Sequence, residues 1–492
     1  MKPRQKMIIS TVLAATVLTG CGGGGSGGDS SGSNPPTAAA VAEEYRGVWV
    51  AEPYGWALEV GPSRFSLFDY TNEFCISVIA ESGVDTADVE SLFRLRADQL
   101  EWYASNGTAD FGAPGVRFAP SSALPSSCAQ GTSPTRGEVG YERDPQKDLY
   151  LFAQLINEYS VYPELRELNA LDLYREIEPT VSQNSGDDVL AEALFQLAQP
   201  FADIHTTVET SVGLVKILNK PSFIDRLVDE WLNLEGVIPP LNDAQIQAVN
   251  TYINEQAYID RKVTLSYSEN ASQIHQAAND LLTWYQVDGV GYLAIDAMLG
   301  FGDIDDNGDE LRSLELALDQ AMNDLRDVQA LIVDVRRNGG GKDFLSLAIA
   351  SRFATNETHA YSKQARLGSG RSELIDVYIQ PRGAVQYLGP VYLLTSNETA
   401  SAAEVFTLAM REFPQVTIIG EATQGGLSDQ LSKKLFNGWN ASVGNEYYLA
   451  TDGSWYEGVG IPVDVEVAQF SRQARQSEID FGIEAVIELL SN

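Results

Sequence analysis

The feature that most constrains the fold of this chain is an alternation of short apolar runs and helical segments that begins near residue 290. Residues 330–335 form a near-continuous apolar run, which is typical of a strand buried on both faces of a sheet. A helical pattern over 310–328 precedes this run, and further apolar runs follow at 391–394 and 416–419. Strands that alternate with crossover helices predict an α/β core.

Two regions of different character precede this core. Residues 42–140 contain short alternating runs broken by Gly and Pro, which predict a small β-rich domain of hairpins. Residues 141–285 carry apolar side chains at helical spacing, which predicts a helical bundle region. We therefore expect a β-rich domain at 42–140, a helical region at 141–285 and the α/β core at 286–492.

The N-terminal segment has the pattern of an export signal. Three basic residues precede an apolar run over 7–18, which is too short to span a bilayer as a mature helix. The run ends in Leu18-Thr19-Gly20-Cys21, which resembles the bacterial lipobox and predicts acylation of Cys21 at the end of a signal peptide at 1–21. An ordinary secretory signal with an incidental cysteine is the alternative. Residues 22–41 are rich in Gly and Ser and predict a flexible tether.

Charge and cysteine content narrow the classes of partner. The net charge of -35 argues against nucleic-acid binding, which needs a basic surface. Cys75 and Cys128 form an even pair in the β-rich domain of an exported chain, which predicts a disulfide. With three His residues and no clustered cysteines, we expect neither a metal nor another cofactor.

A candidate nucleophile stands where one apolar run gives way to a helix. The run at 391–394 is followed by a short polar turn, and a helix is predicted to begin near Ser401. Unpaired backbone N–H groups and the positive end of the helix dipole at that place favour an oxygen nucleophile and the anion that it generates. The alternative is that Ser401 only caps the helix, since serine is a preferred N-cap residue.

Three other segments carry residue types that a nucleophilic serine requires. Residues 339–341 are consecutive glycines after a predicted strand, where backbone N–H groups can point at a reacting oxygen. His205 follows a predicted helix, and Glu457 lies beside a Gly-rich turn. Each signal is weak alone, because a single histidine is more often structural and Gly-rich turns are common in loops.

In this order the segments resemble peptidase family S41, which includes the C-terminal-processing and tricorn-core proteases. The resemblance covers roughly residues 145–490 and leaves out the β-rich domain. It implies a ClpP/crotonase-like α/β catalytic core preceded by the helical bundle. The segments that carry it are Asp203-Ile204-His205, Asp334-Val335-Arg336-Arg337-Asn338-Gly339-Gly340, Thr399-Ala400-Ser401-Ala402-Ala403-Glu404, Gly420-Glu421-Ala422-Thr423-Gln424-Gly425-Gly426 and Glu457-Gly458-Val459-Gly460-Ile461.

The resemblance also implies which side chain is the base. The C-terminal-processing branch keeps a lysine 25 residues after the serine, and that position is Gly426 here. The tricorn-like branch uses a histidine and a glutamate, which match His205 and Glu457. The implied roles are Ser401 as nucleophile, His205 as base and Glu457 as the residue that orients and stabilises the imidazolium. The implied oxyanion hole consists of the backbone N–H groups of Gly339, Gly340 and Ala402.

One departure from the tricorn-like pattern concerns the orientation of the base. The tricorn enzyme has a serine immediately before its histidine, and that position is Ile204 here. Glu457 would therefore have to reach His205 directly, or Asp203 or a water would have to orient the ring. With an ordinary histidine pKa of about 6.5, activity would rise through roughly pH 6 to 7.

The resulting hypothesis is a serine endopeptidase that hydrolyses peptide bonds in unstructured or C-terminal segments of exported proteins. Its partners would be protein or peptide substrates. It would contact the membrane only through the N-terminal lipid anchor, and it would lie in the bacterial cell envelope, at the outer membrane or facing the periplasm. The alternative is a weak or inactive binding protein on the same scaffold, for peptides or apolar ligands. An α/β-hydrolase esterase is disfavoured, because residues 399–403 lack its Gly-x-Ser-x-Gly pattern.

Overall fold

A computed structural model of the protein describes residues 40–102, 115–268 and 270–491. The predicted signal peptide, Cys21 and nearly all of the predicted tether lie outside these ranges. No helix within these ranges is both long and apolar enough to cross a membrane.

The N-terminal part of the described chain is a β domain built on a seven-stranded antiparallel sheet. A disulfide joins Cys75 to Cys128 within this domain. Its elements are β1 (Gly47–Ala51), β2 (Trp56–Val60), β3 (Arg64–Tyr70), β4 (Cys75–Ser82), α1 (Thr86–Glu90), β5 (Phe93–Arg96), β6 (Gln99–Trp102), β7 (Val116–Ser121) and α2 (Ser126–Ala129). The strands lie in the order β4-β3-β2-β1-β7-β6-β5, and one hydrophobic cluster packs against them.

A largely helical region follows, but it also contains strands that the sequence pattern does not indicate. Its helices are α3 (Pro145–Tyr159), α4 (Tyr162–Arg166), α5 (Ala170–Ile177), α6 (Asp187–Ala198), α7 (Phe223–Glu235) and α8 (Asp243–Leu265). Its strands are β8 (Thr207–Thr210), β9 (Gly213–Val215), β10 (His275–Ala277) and β11 (Leu282–Val287). The region predicted to be helical at 141–285 thus also contains strands. Strand β8 pairs with the distant β20, whereas β9, β10 and β11 pair with strands close to them in the sequence.

The remaining residues form the α/β core and complete its smaller sheets. Helices and strands alternate here much as the apolar runs predict. The elements are β12 (Val290–Ile295), α9 (Asn307–Asp324), β13 (Ala330–Asp334), α10 (Asp343–Ala350), β14 (Thr358–Leu367), β15 (Gly370–Arg371), β16 (Ile375–Ile379), β17 (Val391–Thr395), α11 (Ala402–Met410), β18 (Val416–Gly420), β19 (Gln430–Lys434), β20 (Asn440–Gly444), β21 (Glu446–Leu449), β22 (Val465–Glu466), α12 (Arg472–Ser477) and α13 (Phe481–Ser491).

The central sheet places the candidate site at one edge. Its order is β10-β11-β12-β13-β17-β18-β22, with parallel pairing from β12 to β22. Helices α9, α10 and α11 pack on one face and α13 on the other, so every side chain of β12 and β13 is buried. This arrangement confirms the predicted mixed α/β fold class. The loops after β13 and β17 leave the same carboxyl edge of the sheet, where open α/β sheets bind ligands.

Two smaller sheets connect the core to the regions before it. Strands β19 and β20 continue into β8 and β9 of the helical region, and β14 pairs with β15, β16 and β21. A second hydrophobic cluster joins α3–α6 to apolar side chains of β19 and β20. Because β8 begins two residues after His205, this sheet sets the position of that histidine relative to the core.

Candidate active site

Ser401 lies at the turn between β17 and α11 in an unusual backbone conformation. Its φ is 54° and its ψ is -126°, a region that costs free energy for a residue with a Cβ and is found mainly where the surrounding structure enforces it. Gly340 packs against this turn so closely that an added Cβ would lie 2.6 Å from Ser401 Cβ. The glycine is therefore needed for the approach of the two loops.

The structure brings His205 and Ser401 together. The Nε2 atom of His205 lies 3.1 Å from Oγ of Ser401, which is hydrogen-bonding distance although the residues are 196 positions apart. Asp203 Oδ1 accepts from the backbone N–H of His205, and Ser442 Oγ donates to the His205 carbonyl. The turn that carries the histidine is thus held from both sides.

The imidazole of His205 is buried, which favours its neutral form. Its residue is 8% exposed, and burial together with the charge of Lys216 lowers its pKa to about 3. Its Nδ1 atom is buried and has no hydrogen-bond partner among the described residues. A neutral imidazole can accept a proton at Nε2, but no acceptor at Nδ1 stabilises the imidazolium that would result.

Glu457 does not hydrogen-bond to His205. Its Oε1 accepts from the hydroxyl of Tyr162 at 2.6 Å, and its Oε2 accepts from the backbone N–H groups of Leu427 and Ser428. Burial raises the pKa of Glu457 well above its ordinary value, and the hydrogen bond from Tyr162 opposes that shift. The sequence-based expectation that Glu457 orients the imidazole by direct contact is not met, because its acceptor positions are taken by these donors.

Asp203 does not take over that role. Its two carboxylate oxygens accept from the backbone N–H of His205, from Thr206 Oγ1 and from the backbone N–H of Gly444. It therefore fixes the backbone of the histidine turn rather than the ring. Neither of the two carboxylates that the sequence offers as an orienting group contacts Nδ1.

Glu404 is a further carboxylate of the site, to which the sequence motifs assign no role. This fully buried carboxylate accepts from the backbone N–H of Ser401, from Thr423 Oγ1 and from the backbone N–H groups of Gly425 and Gly426. It fastens the start of α11 to the loop after β18. The signal was present as Ser401-Ala402-Ala403-Glu404, because a Ser-x-x-Glu sequence at a helix start is typical of a capping box.

The predicted oxyanion donors differ in their availability. The backbone N–H of Gly340 donates to Asn338 Oδ1 at 2.9 Å, so it already has an acceptor. Ala402 is the first residue of α11, a position whose backbone N–H has no acceptor inside the helix. Gly339 is exposed and has open space around its Cα. Gly339 and Ala402 are therefore better candidates than Gly340 for holding a developing oxyanion.

Position 426, where the C-terminal-processing branch has its lysine base, has no space for a side chain. A Cβ at Gly426 would lie 2.5 Å from both Cδ1 and Cγ1 of Ile204. Two other lysines of the core are engaged elsewhere: Lys342 Nζ donates to Ile304 O and Asn307 Oδ1, and Lys433 Nζ donates to Asp69. Ile204 thus fills the place that a longer residue at 426 would need.

Comparisons with known proteins agree with this fold. A crystal structure of a putative peptidase from Parabacteroides merdae matches at a TM-score of 0.55 and 22% identity, over 71% of this chain and 97% of that one. By fold, the chain is therefore a mixed α/β protein of the same type as that structure. Residues 289–467 match the model of peptidase family S41. The chain thus contains an S41 family domain, as its motifs predict.

Curated proteases match this chain over short stretches. The tail-specific protease of Haemophilus influenzae is 32% identical over 107 residues, which cover 22% of this chain and 14% of that protein. The carboxy-terminal processing protease CtpA of Bacillus subtilis is 26% identical over 141 residues, 29% of each chain. The tricorn protease of Thermoplasma acidophilum is 26% identical over 169 residues, 33% of this chain and 15% of that protein. The matched parts therefore span less than a third of each relative.

Proposed function

We propose that this protein is a serine-type endopeptidase in which Ser401 is the nucleophile and His205 its base. The observation that carries the proposal is the 3.1 Å approach of His205 Nε2 to Ser401 Oγ at a strained strand-to-helix turn. A serine, a base within hydrogen-bonding distance and nearby backbone donors are the parts that nucleophilic acyl transfer requires.

The proposed reaction has two acyl-transfer steps. Ser401 Oγ attacks the peptide carbonyl while His205 Nε2 takes the hydroxyl proton, and the backbone N–H groups of Gly339 and Ala402 hold the oxyanion. The C–N bond then breaks, and His205 returns the proton to the leaving amine. Water hydrolyses the acyl-enzyme by the same proton transfers, which frees Ser401.

Glu457 is a positioning residue in this proposal. It links α4 through Tyr162 to the backbone of residues 427–428, next to the segment that holds Gly426. The carbonyl of Gly426 in turn accepts from the backbone N–H of Ser401. Glu457 therefore acts on the nucleophile through the loop rather than on the histidine ring.

The substrates in this proposal are peptide segments of exported proteins, unstructured or near their C-termini. The names of the relatives, a tail-specific protease and a carboxy-terminal processing protease, support that substrate class. An envelope location with a lipid anchor at Cys21 rests on the sequence pattern of residues 1–21 alone.

A catalytically weak binding protein on the same scaffold is the second candidate, and one observation favours it. His205 Nδ1 lacks an acceptor among the described residues, so the imidazolium formed during attack would be poorly stabilised. This candidate would bind peptides near Ser401 and turn them over slowly or not at all.

Hydrolysis of unstructured peptides by matched variants distinguishes the two candidates. In an active peptidase, Ser401→Ala and His205→Ala each lower kcat by several orders of magnitude, and the double variant is little worse than either single one. Glu457→Gln should lower kcat less, since it positions rather than reacts. Wild-type turnover no faster than that of Ser401→Ala would favour the binding protein.

A further inference from the structure

A group of carboxylates lies on segments that follow Gly340 and Gly426 in the chain and has no part in the proposed reaction. It consists of Asp343, Asp429 and Glu446, which we call the acidic subsite. Asp343 begins α10, three residues after the Gly340 that packs against Ser401. Asp429 follows Ser428, whose hydroxyl accepts from the backbone N–H of Glu446. The subsite therefore borders the loops that carry the nucleophile.

The three carboxylates share a single lysine. Lys363 Nζ donates to Glu446 Oε2 at 2.9 Å, so Glu446 is paired. Asp343 Oδ2 accepts from the Tyr448 hydroxyl at 2.7 Å, and Asp429 Oδ1 accepts from the backbone N–H of Gln430. Among the described residues neither Asp343 nor Asp429 forms a salt bridge, and the only direct ion pair of Lys363 is with Glu446.

The electrostatics agree with this uneven pairing. Burial and the neighbouring charges of Glu446 and Asp343 raise the pKa of Asp429 to about 7. Burial also raises the pKa of Asp343, while Lys363 opposes that shift. A positive charge placed between the two aspartates would reverse these shifts, because an opposite charge favours the ionised carboxylate.

A second observation points to a ligand at the same place. The hydroxyl of Tyr361 is fully buried and has no hydrogen-bond partner among the described residues. It lies near enough to Asp343, Glu446 and Asp429 for all three to raise its pKa, and its ring packs 5.4 Å from that of Tyr448. An unsatisfied polar atom in such a group is uncommon and suggests that a bound group completes the contacts.

We propose that the acidic subsite binds the basic side chain of a lysine or arginine in the peptide substrate, between Asp343 and Asp429. This inference rests on the proposed function, because it assigns the subsite to the peptide that Ser401 would cleave. Asp429 is exposed and Asp343 partly so, and an incoming chain can therefore reach them although the surrounding protein desolvates both carboxylates. An ammonium or guanidinium forms charge-assisted hydrogen bonds with such carboxylates.

The N-terminal β domain contributes to this subsite. Tyr54, in the turn between β1 and β2, donates its hydroxyl to Glu446 Oε1, the oxygen that Lys363 leaves free. The backbone carbonyl of Pro53 accepts from Asn445 beside it. The β domain thus forms one wall of the acidic subsite and, in this proposal, helps to determine which substrate residue binds there.

Two measurements on one peptide series test the proposal. Peptides share one neutral background in which a single lysine, arginine, norleucine or glutamate is moved through each position. The full chain is assayed for kcat/KM, and the Ser401→Ala chain for binding by fluorescence anisotropy. We expect a lysine or arginine at one position to improve both quantities at least tenfold over norleucine. Asp343→Asn and Asp429→Asn should each reduce that ratio at least threefold.

The controls separate this proposal from the peptidase proposal. Asp98→Asn removes the same charge from the exposed β5–β6 turn and should keep the preference. Asp429 is exposed, so its variant should fold even where Asp343→Asn does not. A binding preference without any cleavage would contradict the peptidase and keep the subsite. Cleavage without a basic preference at any position, or a preference that survives both Asn substitutions together, would overturn the subsite.

Discussion

Three buried carboxylates hold the backbone around the reactive pair. Asp203, Glu404 and Glu457 each accept three or more hydrogen bonds, mostly from backbone N–H groups of the surrounding loops. Replacing one of them would leave several buried donors unsatisfied, at a cost of roughly 1 to 3 kcal/mol for each group. At the scale of single residues, the position of the serine and histidine therefore depends on carboxylates that do not react.

The pH dependence of activity follows from the burial of His205. A base must be unprotonated, and a pKa lowered to about 3 keeps this imidazole almost entirely neutral from about pH 5 upward. We expect kcat/KM to stay nearly constant from about pH 5 to 8 and to fall only as the pH approaches the lowered pKa. The rise through pH 6 to 7 that an ordinary histidine would give should be absent.

A pH series of kcat/KM with a neutral peptide checks this expectation. The far-ultraviolet circular dichroism recorded over the same series shows whether the fold persists at the acidic end. An acid limb with a midpoint between pH 6 and 7 in the folded protein would contradict a buried, neutral base. A rise only at alkaline pH would indicate a lysine instead.

At the level of structural elements, the loops after β13 and β18 pack tightly against the turns that carry Ser401 and His205. The loop after β18 passes Ile204 so closely that residue 426 has no room for a side chain. The loop after β13 passes Ser401 equally closely through Gly340. Such contacts couple the histidine turn to the nucleophile helix, because neither loop can move without displacing its neighbour.

Gly426→Ala should destabilise the protein through a clash with Ile204. Overpacking of this kind costs about 1 to 3 kcal/mol. Ile204→Val removes Cδ1, one of the two clashing atoms, so the double variant should be less destabilised than the two single variants together. Chemical denaturation of the four proteins measures this coupling.

Gly370→Ala is the matched control for that cycle. An added Cβ at Gly370 would meet only Leu367 O, at 3.6 Å, so this variant should leave the stability nearly unchanged. Additive effects of Gly426→Ala and Ile204→Val would show that the two positions do not compete for space.

The sequence predicts these elements where the pattern is local. The apolar runs at 330–335, 391–394 and 416–419 correspond to β13, β17 and β18, and the helix expected near Ser401 is α11. Strands β8 and β9 were missed, because each is too short to show alternation and β8 pairs with β20 far along the chain. The sequence also could not predict the hydrogen-bond partner of Glu457, because Tyr162 lies 295 positions away. Only the fold shows that this carboxylate is already occupied.

At the scale of the whole molecule, the β domain is joined to the core by a buried ion pair. Lys433 Nζ donates to Asp69 Oδ1 at 2.7 Å and to the backbone carbonyl of Gly55 at 3.0 Å. Burial lowers the pKa of Lys433 to about 8, so the ammonium is still charged at neutral pH. The charge is tolerated there because Asp69 compensates it. The β domain is thus attached to the catalytic core close to the acidic subsite.

Asp69→Asn should destabilise the protein more than its small change in size suggests. It leaves the Lys433 ammonium buried without a carboxylate, which costs about 3 to 5 kcal/mol in comparable pairs. Adding Lys433→Met removes the stranded charge, so the double variant should regain much of the lost stability. Thermal unfolding at neutral pH compares these proteins with Asp98→Asn, an exposed control in the same domain. A Tm for Asp69→Asn equal to that of the control would show that the pair contributes nothing.

The central claim is that Ser401 is a nucleophile activated by His205, and covalent labelling tests it most directly. The folded full-length chain is treated with a fluorophosphonate near neutral pH, and the modified residue is located by mass spectrometry of its peptides. We expect one adduct, on Ser401, which is absent in Ser401→Ala and forms far more slowly in His205→Ala. An unmodified wild-type chain, or an adduct that persists in Ser401→Ala, would contradict it.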